Sequence, residues 1–199
     1  PNNENTSWEK AKFEVCNHKW TDLSETRYGV ALLNDCKYGI SVDGNDMRLT
    51  LHKGGCRPDP RGDVGVHSFT YALLPHNGGF CVDTVVRGGY ELNNPPVAAQ
   101  GESAAPLSSL AAVDAPNVII ETVKFAEDGD GYILRLYEAE CTATACTLTV
   151  GCPFTAAVET NMLEDEQQRL PAENGRITLR FKPFEIKTIR LSQKQKGQR

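Results

Sequence analysis

The sequence predicts an all-β chain, and three observations predict it. Apolar and polar residues alternate in runs of about five to nine residues, the length and period of strands. Short stretches holding Gly, Pro, Asp or Asn, the residues tight turns require, separate these runs. Helical periodicity is weak along all 199 residues.

Residues 12–16 (KFEVC), 28–33, 46–52 (DMRLTLH) and 66–74 (VHSFTYALL) read as the first strands. Met47, Leu49 and Leu51 alternate with Arg48, Thr50 and His52, which describes a strand with one wet face. In Tyr28–Gly39, Tyr28, Val30 and Leu32 share one face while Gly29, Ala31 and Leu33 share the other, so the strand is expected to be buried on both sides. It ends in the polar run Asn34-Asp35-Cys36-Lys37-Tyr38, the arrangement by which a rigid support delivers a functional loop. An ordinary turn after a core strand has the same appearance. Between residues 52 and 66, Pro58 and Pro60 exclude a central strand. The best helical candidate, Thr84 to Leu92, contains Gly88 and Gly89 and is poor as an isolated helix.

Residues 93–116 are rich in Ala, Ser and Pro and read as a linker or an extended crossing segment. NVIIETVKFA, EDGDG and YILRLYEAE then form a hairpin in which Gly129 and Gly131 can supply positive φ. Strands follow at 146–150, 154–160, 175–181 and 184–191. Ile177, Leu179 and Phe181 alternate with Arg176, Thr178 and Arg180. In the last strand Phe184 and Ile186 are out of phase with Ile189 and Leu191, which requires either a bulge near Lys187 or cover on both faces. Together these strands make a small β-sandwich over 117–192, followed by a disordered tail at 193–199.

The net charge of −5, with no basic cluster, argues against nucleic acid as a partner. No apolar run approaches the roughly 18 residues of a membrane helix, and the polar start is not a signal peptide. Seven cysteines, an odd number, suggest free thiols in a reducing, cytoplasmic setting. Cys141, Cys146 and Cys152 have no zinc-module spacing. Asp128, Asp130 and Glu138 imitate a calcium loop but fail at Tyr132, and the glutamate comes one residue early, so a hairpin turn is the better reading. His18, His52, His67 and His76 lack helical pairing, and neither Gly-x-Ser-x-Gly nor a phosphate loop occurs. No catalytic residue, metal site or cofactor is therefore assigned within this chain. One further stretch, His18 to Glu25, sets Trp20 among polar side chains, the mixture that binds sugars; a surface loop with Trp20 tucked into the core is the alternative.

Six blocks in order carry a resemblance: NTSWEKAKFEVCNHKWTDLSE, YGVALLNDCKYG, HSFTYALLPH, ETVKFAEDGDGYILRLYE, ETNMLED and FKPFEIKTIRL. From Asn5 to about Leu191 the chain resembles the C-terminal region of a glycoside hydrolase family 38 α-mannosidase, closest to the branch with cytosolic and bacterial enzymes. The resemblance implies that residues 1–92 are the last part of a large mannosidase β-sandwich (a supersandwich) and that Pro1 lies inside a larger sheet of a much longer polypeptide. It implies a retaining enzyme that removes α-linked mannose from oligosaccharides. The nucleophile, the acid/base and the zinc or other divalent metal lie on an N-terminal catalytic domain. This segment alone is then inactive, and its partners are that domain and the oligosaccharide; a homo-oligomer stays open. The resemblance further implies that the loop after the buried strand reaches the sugar, through Asn34, Asp35, Cys36 and Lys37, with His18, Trp20 and Asp22 as a second group. Golgi and lysosomal branches carry Arg where this sequence has Cys36, so a main-chain contact is the role that survives there. An autonomous sugar-binding module and a purely structural sandwich are the alternative readings.

Overall fold

The computed structural model describes residues 6–102 and 109–193. It is all-β apart from short helical segments, and it divides into two compact units, Pro1–Ala99 and Gln100–Arg199.

The first unit opens with helix α1 (Ser7–Lys10). Strands β1 (Val15–Cys16), β2 (Trp20–Ser24), β3 (Tyr28–Asn34), β4 (Gly39–Asp43), β5 (Asp46–Thr50) and β6 (Tyr71–Asn77) follow. They form two antiparallel three-stranded sheets, ordered β1-β4-β5 and β2-β3-β6. The predicted strand 12–16 shrinks to its last two residues, and 66–74 pairs only from Tyr71 onward. Pro75 is tolerated because β6 is an edge strand, where a missing N–H breaks no ladder.

In its second half β3 is shielded on both faces, as expected, since Ala31, Leu32, Leu33 and Asn34 are all buried; at its start Tyr28 is exposed and Val30 half-buried, against the expectation. One face is covered by a helical segment that the sequence reading undervalued. A π-turn over Val82–Val86 continues as α2 (Arg87–Asn93), and Val85 and Leu92 pack with Ala31, Leu33, Trp20, Ala72 and Leu74. The glycines that weaken this helix in isolation allow its approach. A Cβ on Gly88 would lie 3.1 Å from Leu74, and one on Gly89 would lie 3.2 Å from Trp20 and 3.3 Å from the Lys19 carbonyl. Contact with the sheet outweighs intrinsic propensity, which is about 1 kcal/mol per glycine.

The second unit is a sandwich of two antiparallel sheets. Its strands are β7 (Ala111–Val113), β8 (Val118–Phe125), β9 (Tyr132–Glu138), β10 (Thr144–Val150), β11 (Ala156–Thr160), β12 (Glu166–Leu170), β13 (Ala172–Glu173), β14 (Arg176–Phe181) and β15 (Ile186–Ser192). The sheets run β13-β14-β10-β7 and β12-β11-β15-β9-β8. Val118, Leu134, Leu136, Cys146, Leu148, Ile177, Leu179, Phe181, Ile189 and Leu191 fill the space between them. At roughly 1.5–3 kcal/mol per large buried side chain, this layer is the main stabilising term.

The phase problem of the last strand resolves in two parts: Phe184 and Ile186 are exposed, and from Thr188 onward the strand is covered on both faces. β15 keeps continuous register with β9 and β11, and Thr188, Ile189, Leu191 and Ser192 are all buried. Residues Asn161–Asp165 supply the outer cover: the Met162 carbonyl accepts from Arg135 Nη2 at 3.1 Å and its sulfur lies 3.7 Å from Thr188 Oγ1. β7, β12 and β13 are strands beyond the six expected. The stretch read as a linker holds the end of α2 and β7, while its residues 103–108 lie outside the described ones. Gln193 donates from its backbone to Asp130 Oδ1 at 3.1 Å; the remaining tail, 194–199, lies outside the described residues too.

Candidate functional site

The polar run after β3 is built from inside by Asn34. Its side chain is fully buried, and its Nδ2 donates to the carbonyls of Cys36 at 3.2 Å and Lys37 at 3.4 Å, which folds the chain back on itself. Its Oδ1 accepts from Asn17 Nδ2 at 3.1 Å. The Asn34 backbone N–H donates to Lys19 O at 3.0 Å, and its carbonyl accepts from Asn93 Nδ2 at 3.0 Å. Lys37 takes a left-handed φ of 66°, which closes the turn before β4. Asn34 thus organises the loop, and its burial keeps its side chain from facing a ligand. The Cys36 carbonyl keeps a second lone pair for one.

Asp35 is tied to the approach to β6. Its N–H donates to Thr70 O at 3.2 Å, and its Oδ1 accepts from Thr70 N–H at 2.9 Å. The Thr70 N–H, and after it the Cys36 thiol, hold the Asp35 carboxyl below the usual carboxylate range. The same contact with Asp35, with burial as a lesser cause, pushes the Cys36 thiol up. The pair therefore presents an ionised carboxylate in a fixed orientation beside a protonated thiol. Lys37 Nζ lies 3.0 Å from His67 Nδ1 and 5.6 Å from the centre of the Phe69 ring.

The second predicted group divides. His18 joins the loop: its ring lies 4.4 Å from that of Tyr38, its Nε2 is 3.3 Å from Cys16 Sγ, and the neighbouring Asn17 N–H donates to Tyr38 O at 2.8 Å. Trp20 and Asp22 point to the helix-covered face of the sheet instead. Trp20 stacks on Phe80 at 5.0 Å and packs in the core cluster, so its flat face is already occupied. Asp22 Oδ1 accepts from His76 Nε2 at 2.8 Å, with both side chains about 95% buried. Gly29 makes room for that pair, since a Cβ there would collide with the His76 ring and with Ser24.

Sequence reasoning missed Asn17, His67, Thr70, His76 and Asn93. The only available signal was polarity next to apolar runs, which does not single out any of them. In the second unit Asp128 and Asp130 serve the hairpin turn: Asp128 accepts from Arg190 Nη2 at 2.7 and 2.8 Å, and the Asp130 carbonyl at 3.3 Å. Among the described residues no three His, Cys, Asp or Glu side chains converge to hold a metal ion, and no helix is long and apolar enough to cross a membrane.

Residues 1–61 match the glycosyl hydrolases family 38 C-terminal domain, and residues 117–189 match the glycosyl hydrolases family 38 C-terminal beta sandwich domain. The chain is 42% identical to alpha-mannosidase 2C1 of Homo sapiens over 198 residues, covering 96% of this chain and 19% of that protein. It is 40% identical to alpha-mannosidase G of Dictyostelium discoideum over 200 residues, covering 96% of this chain and 18% of that one. It therefore spans about a fifth of the length of the curated relatives it matches. The crystal structure of an alpha-mannosidase from Enterococcus faecalis V583 superposes with a TM-score of 0.73 at 20% identity, over 96% of this chain and 23% of that one, a likeness of fold.

Proposed function

We infer that this chain, which belongs to glycoside hydrolase family 38 as its C-terminal region, completes the substrate site of a retaining α-mannosidase acting on terminal α-linked mannose of oligosaccharides. In this proposal an N-terminal domain of the same polypeptide carries the nucleophile, the acid/base and the divalent metal, and the enzyme works in the cytoplasm. The family membership and the names of the curated relatives support the activity.

The observation that carries the site is Asp35. It is an ionised, half-buried carboxylate held by Thr70, on a loop whose core side is fixed by Asn34. A carboxylate fixed in this way accepts sugar hydroxyls without losing rotamer entropy on binding. Cys36 and Lys37 extend the same edge, His18 supports it through Tyr38, and Trp20 and Asp22 act beneath it as packing.

In the full-length enzyme, Asp35→Ala is expected to raise KM for mannobiose about tenfold, the loss of one charge-assisted hydrogen bond to substrate, with Tm slightly lowered by the lost Thr70 bond. A lowered Tm with unchanged kinetics would leave pure scaffolding as the role of this loop.

A further inference from the structure

Both main-chain polar groups of Asn34, the residue that folds the loop, are set by the short helix α2. The carbonyl accepts from Asn93 Nδ2 at 3.0 Å. The N–H donates to the Lys19 carbonyl at 3.0 Å, and Lys19 is itself held against the helix, its Nζ 4.8 Å from the centre of the Tyr90 ring. We propose that α2 is a clamp for the Asn34–Tyr38 loop and that Asn93 is a positioning residue, which acts on substrate only by setting where Asp35, Cys36 and Lys37 stand. The inference rests on the reading of that loop as a substrate contact and adds what holds it in place.

The helix is built for this contact. Gly89 and Asn93 are four residues apart and share one face. Asn93 is the last residue of α2, and its Nδ2 carries two hydrogens: one serves Gly89 O at 2.8 Å, within the helix, and the other crosses to Asn34 O. Gly89 brings the helix close to Lys19, since a Cβ there would lie 3.3 Å from the Lys19 carbonyl. Lys19 takes a left-handed φ of 70°, a conformation that a residue other than glycine keeps where its surroundings impose it. Asn94 supplies the contrast: its Nδ2 makes the same step back along the helix, to Tyr90 O at 3.1 Å, without reaching Asn34.

A shift of the Asn34 main chain has nowhere to dissipate. The side chain is fully buried, and its bonds to the carbonyls of Cys36 and Lys37 carry the displacement into the loop.

In the full-length enzyme, Asn93→Asp keeps the size of the side chain and puts an acceptor where the donor stood. KM for mannobiose is expected to rise about fivefold with kcat unchanged, the effect of losing about one hydrogen bond. Asn94→Ala, which loses a helix-end bond of the same kind, is expected to leave KM unchanged. A fall in Tm and kcat at unchanged KM is what a purely structural Asn93 gives, and it overturns the clamp; so does an equal rise of KM in Asn94→Ala. Tyr90→Leu tests the other half of the clamp without touching Asn93. It removes the ring beneath Lys19 and is expected to raise KM about twofold, and an unchanged KM there overturns the proposal even where Asn93→Asp fails to fold. Asp35→Ala run in parallel separates the two levels. A raised KM in Asp35→Ala with an unchanged KM in the clamp variants sinks the clamp and keeps the loop; an unchanged KM in Asp35→Ala sinks the loop reading itself.

Discussion

Asn34 in the first unit and Glu138 in the second are both fully shielded from solvent, and each holds a loop by its main-chain groups. They do it with opposite chemistry. Glu138 accepts from the N–H groups of Glu140 at 2.7 Å, Thr142 at 3.2 Å and Phe184 at 2.9 Å, and from Asn117 Nδ2 at 2.8 Å. Asn34 mainly donates, to carbonyls, and is neutral at every pH. Burial pushes the Glu138 carboxyl up, but these four donors outweigh it and hold it below the usual carboxylate range. A buried charge surrounded by donors anchors loops firmly at neutral pH and fails in acid; a buried amide is weaker and indifferent to acid. The firm anchor sits in the closed sandwich, whereas the amide supports the edge proposed to meet substrate.

The largest expected effect breaks that anchor. Glu138→Ala leaves three part-buried N–H groups without their acceptor and is expected to cost about 3 kcal/mol, read from urea unfolding followed by hydrogen exchange in residues 117–192. The sign with pH follows from the depressed pKa. The stabilisation is complete above the unfolded-state value of about 4.3 and is lost as pH falls through the lower folded value. The second unit is therefore expected to lose exchange protection in acid below about pH 4, and Glu138→Gln to flatten that dependence while lowering stability at pH 7. A wild-type profile flat to pH 2 would remove the contrast between the two anchors.

A smaller effect is expected in the first unit. Asn34→Ala strands two loop carbonyls and the Asn17 amide, at a cost of about 2 kcal/mol, and the loss is expected to be equal at pH 4 and pH 7. An acid-dependent loss there would show that Asp35, rather than the amide, holds the loop. The smallest effect belongs to an exposed pair: Arg48 donates through Nε to Asp46 Oδ2 at 2.9 Å, with side chains 70% and 50% exposed. Asp46→Asn is expected to leave Tm unchanged, because solvent and salt screen such pairs. A marked drop would mean that bond number and not burial sets the scale.

The strands were legible wherever one face meets solvent. In β14 the alternation of Ile177, Leu179 and Phe181 with exposed polar residues is the burial pattern itself. It was ambiguous in β15, because Phe184 and Ile186 are apolar yet exposed and because Thr188 is covered by the distant segment Asn161–Asp165. The helix over β3 was undervalued because Gly88 and Gly89 are unfavourable alone and become useful only against Leu74 and Trp20. For the site, the polar run after β3 was visible as a break in an apolar pattern. The roles within it were not. Asn34 and Asp35 are chemically similar neighbours, yet one turns inward to carbonyls and the other outward to Thr70. Trp20 and Asp22 share parity on β2, and the helix lies on that side.

By itself, then, the sequence determined the all-β class, the buried strand and its polar exit, and the family, because alternation, turn residues and ordered blocks are local properties. Tertiary structure alone decided which polar groups are consumed inside and which are offered. That choice rests on partners 17 to 59 residues away, as for Asn34 with Asn17 and Asn93 and for Asp35 with Thr70, and a hydrogen bond is a property of the pair.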